Sequence, residues 1–176
     1  MVFGELIVGY LFLAGTGAGA FLIAAAACLR DAWRPTDRTA AVVAAAQPTL
    51  ALTPLVVAVA ALLLLADLGS LEGAARVLLQ PPGSVMAVGA WLVVVLFATS
   101  SAVAAMGAVP RLRVPALSWA CVIAGSAAAL GVMAYSALLL ADVVAVDFWR
   151  TPWLTVLFVA SSLSCGTALV VTAAVL

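Results

Sequence analysis

Five long apolar runs, separated by clusters of charge, glycine or proline, divide the chain. The first extends from Leu6 to Leu29 without a charge and breaks at RDAWRPTDR; the second runs from about Thr39 to Ala66 and stops at DLGSLEGAARVLLQPPGS. A third spans roughly Val85 to Val109 and ends at PRLRVP, and a fourth runs from about Ala116 to Ala141. After DVVAVDFWRTP, a fifth begins near Trp153 and continues to Leu176 without a charged cap. Each run exceeds the roughly 18 to 20 apolar residues that cross a hydrocarbon core at 1.5 Å per residue. In lipid an open chain satisfies its backbone polar groups only as helix, so the pattern predicts an all-α integral membrane protein with five transmembrane helices.

The connections set the expected orientation. Arg30, Arg34, Arg38, Arg111 and Arg113 lie in the first and third connections, against Arg76 and Arg150 in the second and fourth. Arginine favours the cytoplasmic side, so the amino terminus and the second and fourth connections are expected to face outward, with Glu5, Asp67, Glu72, Asp142 and Asp147. Within the second connection Leu71, Ala74, Ala75 and Leu78 share a face, while Glu72 and Arg76 stand four apart on another. That spacing predicts a short amphipathic helix in the interface, ended by Pro81 and Pro82. It would either lid a lateral opening or seat an extrinsic protein. Glu5 and the length of the first run argue against a cleaved signal peptide.

Composition narrows the chemistry. Of the 176 residues 68% are hydrophobic and 8% charged, with a mean hydropathy of +1.34, a surface that water would not tolerate. Net charge is zero and lysine is absent, so nucleic acid is not an expected partner. There is no histidine, the usual ligand of a membrane b-type haem, so neither haem nor a metal held by this chain is expected. Cys28, Cys121 and Cys165 are odd in number, widely spaced and set in apolar runs, which suits small buried side chains. A redox role would then use a diffusible organic carrier or the metal centres of a partner.

The stretch LAGTGAGAFLIAAAAC carries Gly15, Gly17 and Ala20 at the spacing of a dinucleotide loop. Such a loop needs a strand, a helix and a watery edge, and here lipid-compatible residues flank it. Read at helical spacing, Gly15 and Gly19 form a G-x-x-x-G face that lets two helix backbones approach closely.

A few polar residues inside the spans need a reason. Tyr10 and Tyr135 lie about 7 to 10 Å of helix rise inside the outer charges. Each either anchors the interface or donates a hydroxyl into a dry pocket. Asp67 is either solvated at the rim or exchanges protons there. Gln47, well inside the second span, either bridges helices or carries a proton through water. Pro48 and Pro54 free backbone carbonyls in that helix and predict a bend.

Taken together, GYLFLAGTGAGAFLIAA, LLLLADLGSLEGAARVLLQPPGSVMAVGAWLVVVLF and YSALLLADVVAVDFWRTPWLTVLFVASSLSCGTAL resemble, in order and spacing, the polysulfide reductase membrane-subunit family of NrfD type. The resemblance runs through the whole chain, and the second block is its most specific part. It implies a haem-free subunit of a respiratory oxidoreductase complex in the bacterial cytoplasmic (inner) membrane. It further implies an amino-terminal four-helix bundle (residues 1–150) that binds quinone, menaquinone or ubiquinone, near the outer face. Residues 151–176 would start a second bundle, since the family usually has eight spans, and the rest would come from further chain or another membrane subunit. The implied partners are an iron-sulfur subunit attached to a molybdopterin enzyme, together with membrane lipid. Carried over residue by residue, Tyr135 stands in the family's fourth-helix tyrosine position and Asp67 matches the acid of its aspartate-leucine-glycine turn. Arg76 matches the basic residue of the interfacial helix. With the polar residues read above added to these three, the expected quinone contacts are Tyr135, Tyr10 and Asp67, the proton-transfer groups Asp67, Glu5 and Gln47, and the partner contacts Arg76 and Glu72. Family members often carry His or Asn near the outer end of the first helix, where this chain has Glu5 and Tyr10. A small proton or solute channel, with Asp67 and Gln47 along its path, and a purely structural anchor are the alternative readings of the same residues.

Overall fold

The computed structural model describes residues 5–67, 69, 85–112, 114–141 and 152–175. Helices α1 (Glu5–Trp33), α2 (Asp37–Asp67), α3 (Val85–Ala108), α4 (Pro115–Ala141) and α5 (Pro152–Val175) carry nearly all of them, with a 3₁₀ turn at Pro110–Leu112. All five are long and apolar enough to cross a membrane. The chain is thus the five-helix membrane bundle that the apolar runs predict. The interfacial helix expected over residues 71–80 lies outside the described residues, as do Glu72, Arg76, Asp142 and Asp147.

Local chemistry fixes the helix ends. Thr36 closes the first intrahelical bond of α2, its carbonyl accepting from the Ala40 N–H at 3.0 Å, while Pro35 before it stops α1. Proline stands at the first position of both α4 and α5, where its missing N–H costs nothing and its fixed φ suits the helix. Past Asp67, Gly69 takes φ +70° and its N–H donates to the Ala66 carbonyl at 3.2 Å. This left-handed closure is one that glycine adopts without strain. Helix α2 continues through Pro48 and Pro54. Beside Pro54 the Thr53 hydroxyl donates to the Thr49 carbonyl at 2.8 Å.

Helices α1 to α4 form a closed ring in chain order, each packed on its two neighbours, and α5 lies against α1 with edges on α2 and α4. In the most apolar stretches of α1 and α4, 44% of residues are buried, against 11% in α5, so the core sits inside the ring and α5 is peripheral. Glycines set the contacts. A methyl at Gly125 of α4 would lie 2.6 Å from the Phe21 ring of α1, so the missing side chain houses that ring. On the other face of α1, Gly15 and Gly19 meet Ser162, and Gly166 of α5 meets the backbone at Gly19. Backbone meets backbone there, which is the close approach expected of the G-x-x-x-G spacing.

Candidate functional site

Side-chain register brings four of the sequence-selected residues to one end of the ring. Gly9 of α1 faces Leu63 of α2, and Gly17 faces Val57. The same antiparallel offset sets Glu5 level with Asp67; Glu5 is exposed and Asp67 half-buried. The Phe21–Gly125 contact fixes the offset of α1 against α4, and one continuous register then puts Tyr10 level with Ser136, next to Tyr135. Both tyrosines belong to one buried cluster, at 1% and 4% exposure, so neither ring stands at the surface as an interfacial anchor would. A pair of phenols therefore lies inside the bundle, below two carboxylates at its rim.

The Tyr135 ring has a dedicated seat. At Gly89 of α3, a Cβ would overlap Cζ and both Cε atoms of that ring. One helical turn further along the same interface, Gly131 of α4 accommodates Leu92 of α3. The sequence signal for the seat is a lone glycine in MAVGAWLVVV, which single-chain pattern reading passes over. Ser136 beside the pair directs its proton to the Val132 carbonyl at 2.9 Å. The Tyr10 hydroxyl, fully buried, has no hydrogen-bond partner among the described residues. An orphaned phenol in a dry interior forfeits a hydrogen bond, and a carbonyl oxygen entering from the rim would restore it.

An apolar groove of about 630 Å³ runs along α3 and α4, with Val88, Trp91 and Leu92 on one side and Ala124, Ala127 and Ala128 on the other. It flanks Gly89 in sequence and opens toward the lipid-facing surface, where Val88 and Trp91 are exposed.

Gln47 is not part of this constellation. It lines a separate cavity of about 360 Å³ at the arginine-bearing end, with Cys28, Met106 and Ser118. There the Ser118 hydroxyl points to the Met106 sulfur at 3.2 Å. Cys28 thus faces a cavity with a polar edge as well as its own helix. Thr49, between the lining residues Gln47 and Leu50, is fully buried with its hydroxyl unpartnered among the described residues.

The family model described as polysulphide reductase, NrfD, matches residues 1–176. No curated protein and no solved structure matches the chain. With five membrane-crossing helices and a match along the full sequence, the chain belongs to the NrfD polysulphide reductase family, and it is a multi-pass membrane subunit that works with other oxidoreductase subunits.

Proposed function

We propose that the tyrosine pair at the acidic end is a quinone head-group site, and that the chain passes electrons and protons between quinol and the iron-sulfur subunit of a molybdopterin enzyme. The acidic end is then the outer face of a bacterial cytoplasmic membrane. The observation that carries the reading is the buried Tyr10 hydroxyl, which has no hydrogen-bond partner among the described residues, beside Tyr135 and beneath Glu5 and Asp67. Those residues fit the group: a quinone presents two carbonyl acceptors on a flat ring, and phenols donate to acceptors while tolerating apolar walls. The groove between α3 and α4 offers apolar surface for an isoprenoid tail.

Menaquinone or ubiquinone would supply the two-electron redox chemistry. The chain's own residues bind and move protons. Tyr135, held by the Gly89 seat, orients its hydroxyl toward the head group, and Tyr10 supplies a second donor. Asp67 and Glu5 at the rim accept protons from that site and release them to water, since carboxylates there exchange readily. Arg76 and Glu72, on the second connection, are assigned to the surface that meets the iron-sulfur partner. Gln47, at the far end of the ring, has no step in this proton route and is assigned to bridging α2 and α3, where its amide oxygen faces Gly107.

The test is turnover by the assembled complex. Tyr135→Phe and Asp67→Asn each slow quinol oxidation while leaving assembly intact. The Tyr135 change lowers the rate about fivefold to tenfold, the worth of one net hydrogen bond of roughly 1 kcal/mol. Unchanged turnover per assembled complex in both variants removes the quinone-site role.

A further inference from the structure

At the opposite end of the bundle, independent of the tyrosine pair, the turn between α1 and α2 borders a half-open cavity of about 280 Å³. It is lined by Ala27, Arg30, Thr36, Arg38 and Val42. Its two cations come from different helices, Arg30 from the last turn of α1 and Arg38 from the first turn of α2. Asp31, Arg34 and Thr36 nearby already have partners, whereas neither Arg30 nor Arg38 has an ion pair among the described residues. The first N–H groups of that 31-residue helix have no intrahelical acceptors and direct positive potential to the same place, where the Asp37 carboxylate of the first turn offsets part of it. Ala27 and Val42 lie about one turn deeper in their helices, and Val42 is exposed, as are Leu29 next to Arg30 and Trp33 in the last turn of α1. Cationic groups at the end of a span, with exposed apolar side chains immediately alongside, match a group that is anionic at its head and aliphatic behind.

We propose that this cavity binds the phosphate of an anionic phospholipid, Arg30 and Arg38 holding the phosphate oxygens while the acyl chains run along Val42 and Leu29. A free phosphate would use the guanidiniums but leave the apolar surround without a role. The site therefore takes its anion from the bilayer, and it secures the α1–α2 turn to the arginine-rich face.

The experiment is native mass spectrometry of the purified full chain in detergent micelles, titrated with phosphatidylglycerol or phosphatidylcholine. Each basic side chain near a lipid surface contributes about fivefold in affinity, so two predict a preference of about 30-fold for phosphatidylglycerol. Arg30→Gln with Arg38→Gln brings the two lipids to near parity, with the helical circular dichroism spectrum unchanged. Arg111→Gln, at the same end but outside the cavity, keeps the preference. On the unmodified chain the preference also shrinks with added salt, a readout that needs no variant. Equal retention of both lipids by the unmodified chain overturns the proposal, as does a preference that survives the double substitution. Full displacement of phosphatidylglycerol by millimolar inorganic phosphate overturns the lipid assignment in favour of a free-anion site.

Discussion

Gly89→Ala tests the seat of Tyr135 with one methyl group. In an ordinary helix this exchange is favourable by about 1 kcal/mol, because glycine carries the larger conformational entropy. Here the added carbon would overlap three atoms of the Tyr135 ring. The ring cannot yield easily, since Tyr135 is 4% exposed and sits in the cluster that includes Tyr10, Val132 and Met133. Overpacking of this kind costs about 1 to 3 kcal/mol, so the net effect in the unaltered background is roughly 0 to 2 kcal/mol of destabilisation. In a Tyr135→Ala background the obstacle is gone and the same substitution becomes stabilising by about 1 kcal/mol. The reversal of sign, rather than either magnitude, is the diagnostic. A double-mutant cycle measured by unfolding in mixed micelles, followed by far-ultraviolet circular dichroism, should return a coupling of about 1 to 3 kcal/mol. If Gly89→Ala shifts stability equally in both backgrounds, with coupling below about 0.5 kcal/mol, the ring does not rest on Gly89 and the site geometry is wrong.

Three other glycines carry predictions of their own. Gly19→Ala should destabilise the chain by about 1 to 3 kcal/mol, because the methyl meets the Ser162 backbone. Gly131→Ala should cost clearly less, because there it meets the ends of the Leu92 side chain, which can turn aside; equal losses in the same unfolding assay would count against the backbone crossing of α1 and α5. Gly69→Ala should cost about 1 to 2 kcal/mol through φ alone, since nothing lies within 4 Å of the new methyl, and Gly69→Asn should cost less. No measurable change in unfolding midpoint for Gly69→Ala would contradict the left-handed end of α2.

The helix limits were legible in the sequence because charge and proline mark them. The run from Leu6 to Leu29 extends only to Glu5–Trp33, and the fourth run and α4 both end at Ala141. The close approach of Gly15 and Gly19 was legible for a related reason: small residues four apart have a distinct use inside a membrane. Which helices meet was not legible. Spans that are apolar on every side have no hydrophobic stripe, so periodicity does not separate a lipid-facing side from a buried one. Consequently the pairing of Tyr10 with Tyr135 emerges only from register, and Gly89 gains its meaning from a ring on another helix. Gln47 shows the converse. Its polarity suggested a common proton route, yet its position along α2 places it with Cys28 and Ser118, at the other end from Asp67.

Equilibrium binding of a menaquinone analogue to the purified chain in lipid nanodiscs tests the paired-phenol site most directly, when read beside the ligand-free stability of the same samples. One saturable site is expected, weakened about fivefold to tenfold by Tyr10→Phe and by Tyr135→Phe. Tyr10→Phe is also expected to stabilise the ligand-free chain by about 1 to 3 kcal/mol, because it removes a buried hydroxyl that has no partner among the described residues. Absence of saturable binding, or wild-type affinity in both variants, would contradict the paired-phenol site.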